Sequence, residues 1–94
     1  MAYELVLSKK AVRQLDSLNN SDASIIVKWL DKNIQGCEDP RSHGKPLKGN
    51  MAGYWRYRIG KYRVICTIDD GKLIVLAVTI GKRDAVYDRL QPPI

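Results

Sequence analysis

Trp55-Arg56-Tyr57-Arg58-Ile59 alternates apolar and cationic side chains with a period of two. An extended strand sends successive side chains to opposite faces. Trp55, Tyr57 and Ile59 are therefore expected on a core, with Arg56 and Arg58 side by side on the other face. Gly60-Lys61 is a short turn, and the chain returns as Tyr62-Arg63-Val64, bringing Arg63 near the same surface. The wider stretch from Lys45 to Arg63 carries six basic residues (Lys45, Lys48, Arg56, Arg58, Lys61 and Arg63) and no acid. Three guanidiniums on adjacent strands suit a phosphodiester, since each is planar, permanently charged and bidentate. The rest of the chain reads as scaffold for them.

The 94 residues are enough for one domain, 1–94, with a modest core. Charge divides unevenly along it. Residues 1–40 hold five basic and six acidic side chains, a net of −1, whereas residues 41–94 hold eleven and four, a net of +7. A basic excess in one half points to a polyanionic partner, nucleic acid first. The first fifteen residues are charged throughout and lack the apolar segment of a secretory signal. No apolar run approaches the roughly 18–20 residues of a membrane span. A cytoplasmic protein is expected, with Cys37 and Cys66 as reduced thiols lacking the spacing of a zinc site.

Taken in order, Tyr3–Leu7 alternates as a short first strand ending at Ser8. Ser8 is a suitable N-cap for a helix whose apolar positions are Ala11, Val12, Leu15 and Leu18. Asn19-Asn20-Ser21 interrupts it, and Ser21 or Asp22 is expected to cap a second helix. Its apolar positions are Ile25, Ile26, Trp29, Leu30 and Ile34, and Gly36 closes it. Lys9, Lys10 and Arg13 form a solvated face of the first helix. Gln35–Gly53 is a long loop, and strands are expected at Tyr54–Ile59, Tyr62–Ile68 and Leu73–Ile80. Asp69-Asp70-Gly71-Lys72 is the hairpin between the last two, and Leu73–Ile80, apolar but for Thr79, is expected as the central strand. The segment Gly81–Leu90 forms a helical turn that Gln91-Pro92-Pro93-Ile94 cannot continue. The order β-α-α-β-β-β gives an α+β fold, a mostly antiparallel four-stranded sheet packed against an αα-hairpin.

Three groups of residues together resemble the RelE branch of the RelE/ParE toxin superfamily: Pro46-Leu47-Lys48-Gly49, Tyr54 through Val64, and Val78-Thr79-Ile80-Gly81-Lys82-Arg83 followed by Val86-Tyr87. The likeness spans essentially the whole chain. It implies a toxin that cleaves messenger RNA in the ribosomal decoding site and is neutralised by a cognate acidic antitoxin in a hetero-oligomer. Arg56 and Arg58 stand where a well-known member has two lysines, and Arg63 matches the arginine of its Tyr-Arg pair. Arg83 matches the arginine after the last strand, and Tyr87 the tyrosine of the C-terminal segment, here two residues closer to that arginine. Lys48 stands where the family has the arginine of a Leu-Arg-Gly turn. The catalytic set so implied is Arg56, Arg58, Arg63, Arg83 and Tyr87, with Lys45, Lys48, Lys61 and Lys82 as further RNA contacts.

These residues suit attack of an RNA 2′-OH on its own 3′ phosphate, because guanidiniums stabilise the charge that develops on the phosphoryl oxygens. Tyr87 can stack on a base or hydrogen-bond the phosphate. Arginine is a poor general base, and His43, the only histidine, lies in an exposed-looking loop, so the acid–base groups stay open. No metal or other cofactor is expected, since the basic cluster offers no carboxylates for Mg²⁺. Two other readings compete: a ParE-like toxin that inhibits DNA gyrase without nuclease chemistry, and a non-enzymatic nucleic-acid-binding module. The second lacks an obvious basic recognition helix.

Overall fold

The computed structural model describes residues 2–87, 90 and 92. Strand β1 (Glu4–Leu7) leads into helix α1 (Lys9–Asp16) and helix α2 (Asn20–Asn33). Strand β2 (Lys45–Pro46) follows, then β3 (Trp55–Ile59), β4 (Tyr62–Asp69) and β5 (Ile74–Lys82). Single 3-10 turns occupy Pro40–Ser42, Gly49–Met51 and Arg83–Tyr87. Ser8 caps α1 as expected, its hydroxyl accepting from the Ala11 N–H. For α2 the cap is Asn19, whose side chain accepts from the Asp22 N–H at 2.8 Å, two residues before the earliest expected cap. Asn and Asp compete closely as caps, and the first in chain order takes the place here. No described helix is long and apolar enough to cross a membrane.

The sheet has five strands in the order β1-β5-β4-β3-β2. The fifth is the two-residue β2, too short to leave a periodic signal. β1 runs parallel to β5 and the remaining neighbours are antiparallel. Both helices cover one face, where Ala11, Leu15, Ile26, Leu30 and Ile34 meet Tyr57, Ile59, Tyr62, Val64, Cys66, Val75, Ala77 and Ile80. Val12 and Ile25, expected in that core, are instead 41% and 58% exposed. Val12 lies about 100° round α1 from Ala11, off the face that Ala11 and Leu15 turn to the sheet.

The opposite face carries a smaller cluster of Tyr54, Ile65, Val86 and Leu90, with Leu47, Met51, Val78 and Tyr87 packed against it. The chain beyond β5 thus folds back over the sheet. A bulge between β4 and β5 reconciles the two faces. Ile65 pairs with Thr79 and Cys66 with Ala77, which leaves Val78 as the extra residue. Strict alternation cannot send both Ala77 and Ile80 to the helices; one added residue does. Where β1 ends, Gln14 of α1 replaces it. Its Oε1 accepts from the Ile80 N–H at 2.7 Å and its Nε2 donates to Thr79 Oγ1 at 2.9 Å. An edge amide that would otherwise lose its partner is satisfied.

In the β4–β5 turn the left-handed residue is Leu73, with φ 56°, rather than Gly71. Asp69 Oδ1 accepts from the Lys72 N–H at 3.0 Å and sets this geometry. The end of the expected C-terminal turn, Asp88 and Arg89, and Gln91, Pro93 and Ile94 lie outside the described residues.

Candidate functional site

The alternation in β3 places the cations as expected. Tyr57 and Ile59 are buried under the helices and Trp55 packs at the rim of that core, while Arg56 and Arg58 point away. Pairing of β3 with β4 sets Arg58 directly across from Arg63, and pairing with β2 sets Lys45 across from Arg56. Arg63 Nη1 donates to Tyr87 Oη at 3.3 Å and Arg56 Nη1 to the same oxygen at 3.5 Å. The Arg63 guanidinium carbon also lies 5.8 Å from the centre of the Tyr87 ring, within cation–π range. One phenol therefore joins two strands' arginines to the C-terminal segment.

Two features bring that segment into reach. Arg83 adopts φ 45°, a left-handed conformation uncommon for a side chain of its size, and turns the backbone sharply out of β5. Gly81, across from Arg63, lets the returning chain lie close: a Cβ there would meet Val86 atoms at 3.2–3.4 Å. Gly81 stands outside the expected set of site residues, yet it shapes this region. A lone glycine in an apolar strand is nevertheless a signal for close backbone approach.

Arg58, Arg63 and Arg83 line one recess of about 260 Å³, together with Gly60, Lys61 and Tyr62. The other lysines divide. Lys61 and Lys82 sit 5.8 and 6.0 Å from the centre of the Tyr62 ring, and Lys61 Nζ lies 3.6 Å from Asp22 Oδ2. Lys48 is exposed at the start of the Gly49–Met51 turn. Arg41 is taken by Asp70 through Nη1 at 2.9 Å and Nη2 at 3.1 Å, and Tyr3 donates to the same carboxylate at 2.6 Å. Arg41 and Tyr3 together hold the Asp70 carboxyl below the ordinary range. Tyr62 likewise donates to Asp22 at 2.6 Å and lowers its pKa.

Neither thiol has the setting of a nucleophile. Cys66 is fully buried and Cys37 partly so, and burial pushes both up. Among the described residues, no three His, Cys, Asp or Glu side chains gather as metal ligands. The described site is therefore a convergent set of permanent cations around one phenol, shaped for an anion with several oxygens.

Known proteins share this fold. The family model described as "ParE toxin of type II toxin-antitoxin system, parDE" matches residues 5–87. Toxin RelE of Mycobacterium tuberculosis is 32% identical over 90 residues, covering 96% of this chain and 90% of that protein. Toxin RelG of the same organism is 28% identical over 89 residues, covering 95% and 100%. Among solved structures, the toxin–antitoxin complex RelBE2 from M. tuberculosis superposes with a TM-score of 0.75 at 26% identity, covering 88% of this chain and 93% of that one. A mutant of the E. coli toxin RelE in the free state gives 0.74 at 26% identity, covering 94% and 93%. The chain belongs to the ParE toxin family of type II toxin–antitoxin systems, as a RelE-type member of the RelE/ParE superfamily.

Proposed function

We propose that this chain is an endoribonuclease toxin of the cytoplasm that cuts messenger RNA presented by the ribosome and is silenced by a cognate antitoxin. The observation that carries the reading is the convergence of Arg56 and Arg63 on the Tyr87 hydroxyl, with Arg58 directly across from Arg63. A gyrase inhibitor needs no such set of guanidiniums around one phenol. In the reaction the RNA 2′ oxygen bonds to the adjacent phosphorus as its proton departs. The bond to the 5′ oxygen then breaks, and that oxygen takes up a proton. The products are a 2′,3′-cyclic phosphate and a free 5′-OH.

Arg58, Arg63 and Arg83 line the space where the phosphoryl oxygens gain charge. Each well-aimed donor is worth on the order of 3–4 kcal/mol in such a site. Tyr87, held between two guanidiniums, orients the phosphate or stacks on the neighbouring base. The site works through electrostatics and through alignment of a message that the ribosome already holds. The solved complexes of RelE-type toxins with their antitoxins support an antitoxin partner here, whose acidic character would mask the same arginines.

The test is a ribosome programmed with a message carrying a single 2′-deoxy residue before the scissile phosphate. It should bind as the parent message does and stay intact, while the all-ribose message is cut to a cyclic-phosphate end. Removing that hydroxyl deletes the nucleophile and leaves every phosphate in place. Efficient cutting of the deoxy message would refute the mechanism.

A further inference from the structure

A second recess lies at the edge of β3 where β2 ends. Its volume is about 290 Å³, and its walls are Trp29, His43, Gly44, Lys45, Arg56 and Arg58. Arg58 lines the first recess as well, so the two open on a common cation. Arg56 belongs to both regions too, since it lines this recess and reaches Tyr87. The new element is aromatic. The Trp29 and His43 rings stand 5.5 Å apart at 75° and form two walls of a corner.

The corner is held in place. Trp55 Nε1 donates to the His43 carbonyl at 2.7 Å, and the buried Tyr57 hydroxyl donates to the Pro40 carbonyl at 2.6 Å. Arg41 ties the same loop to Asp70. Gly44, at φ 79°, lies so close to β3 that a Cβ would strike the Arg56 carbonyl. Trp29 is braced from behind by Tyr57, whose ring centre is 5.5 Å away. The His43 side chain itself is exposed.

Cations alone would suit any polyanion, and aromatic rings alone any flat apolar group. Three cations beside two rings at a right angle select a nucleotide: a base lies flat on one ring with its edge toward the other, and its phosphates reach the cations. The geometry points to a base-binding subsite for single-stranded RNA at Trp29 and His43, next to the phosphate site and joined to it through Arg56 and Arg58. This rests on the proposed RNA cleavage and extends it. The loop carrying His43 becomes a determinant of which message position is cut.

The experiment measures binding of a five-nucleotide single-stranded RNA to the full chain by fluorescence anisotropy at low salt. The same RNA is tested with an abasic residue placed at each position in turn. Stacking deletes with the base while the phosphates remain. The wild-type chain should prefer the intact RNA over one abasic form by about fivefold or more. His43→Ala should lose that preference, and His43→Phe should restore it. The Trp55 bond is to the His43 backbone, so neither substitution removes the loop's anchor. The subsite is overturned by a wild-type chain with no such preference or no binding, by His43→Ala protein that keeps it, or by failure of His43→Phe to restore it. Failure of cleavage on the ribosome with the base preference intact would instead remove the nuclease reading and leave the subsite.

Discussion

Gly44→Ala tests the packing of the His43–Gly44 loop on β3, and Gly36→Ala supplies its control. Both glycines hold left-handed backbone, at φ 79° and 77°. Around Gly36 a Cβ would find nothing within 4 Å; at Gly44 it would meet the Arg56 carbonyl, Trp55 Nε1 at 2.8 Å and Tyr57 Cδ1 at 2.9 Å. The left-handed conformation costs an L-residue about 1–2 kcal/mol. Loss of glycine's freedom in the unfolded chain returns about 0.4–1 kcal/mol. Gly36→Ala should therefore cost about 1 kcal/mol.

Gly44→Ala adds an overpacking cost of about 1–3 kcal/mol, since its neighbours include a strand backbone that cannot rotate aside. The total is about 2–4 kcal/mol. For a chain of this length each kcal/mol lowers Tm by about 4–8 °C. Thermal melts followed by circular dichroism should then show Gly44→Ala melting about 4–24 °C below Gly36→Ala. Equal melting temperatures would mean that the loop does not lie against β3, and the recess beside it would lose its floor.

Three further outcomes follow from the same geometry. Arg63→Ala should abolish growth arrest on expression while costing within about 1 kcal/mol of stability; a folded, fully toxic variant would remove Arg63 from the site. Arg83→Gly should also abolish toxicity yet melt above Arg83→Ala, because glycine accepts φ 45° and alanine does not; the reverse order would exclude backbone strain at that residue. Asp22, with its pKa lowered chiefly by the Tyr62 hydroxyl, contributes stability that is present above its ordinary value of 3.8 and is lost as pH falls through the depressed folded value. Asp22→Asn should accordingly flatten the acid limb of the melting curve below about pH 4, and an unchanged limb would assign it to other carboxylates.

Where the sequence carried strong local signals, the fold was readable from it. Period two in Trp55–Ile59 identified both faces of β3, and Ser8 identified the start of α1. Longer-range contingencies were not readable. The β5 bulge follows from a need to satisfy two cores at once, which no window of five residues contains. Gln14 replaces a strand only because β1 stops at Leu7 and α1 passes beside the exposed amide of Ile80. The nominal turn glycine, Gly71, yielded the left-handed position to Leu73 because Asp69 draws the Lys72 amide inward.

The site divides along the same line. Arg56, Arg58 and Arg63 were legible because strand alternation and a two-residue turn fix their common face. The lysines were legible only as charge: Lys61 and Lys82 gather about Tyr62, and Lys61 both borders the arginine recess and pairs with Asp22. What distinguishes the arginine group is that it opposes local stability. Arg58 and Arg63 face each other across two strands, an arrangement that costs a few tenths to about 1 kcal/mol for like charges. Arg83 adds a left-handed backbone beside them. Departures from local consistency concentrate where a function requires them. On the proposed reading, a phosphate entering the recess lined by Arg58, Arg63 and Arg83 would be drawn by all three guanidiniums, and that attraction would act where the transition state gains charge.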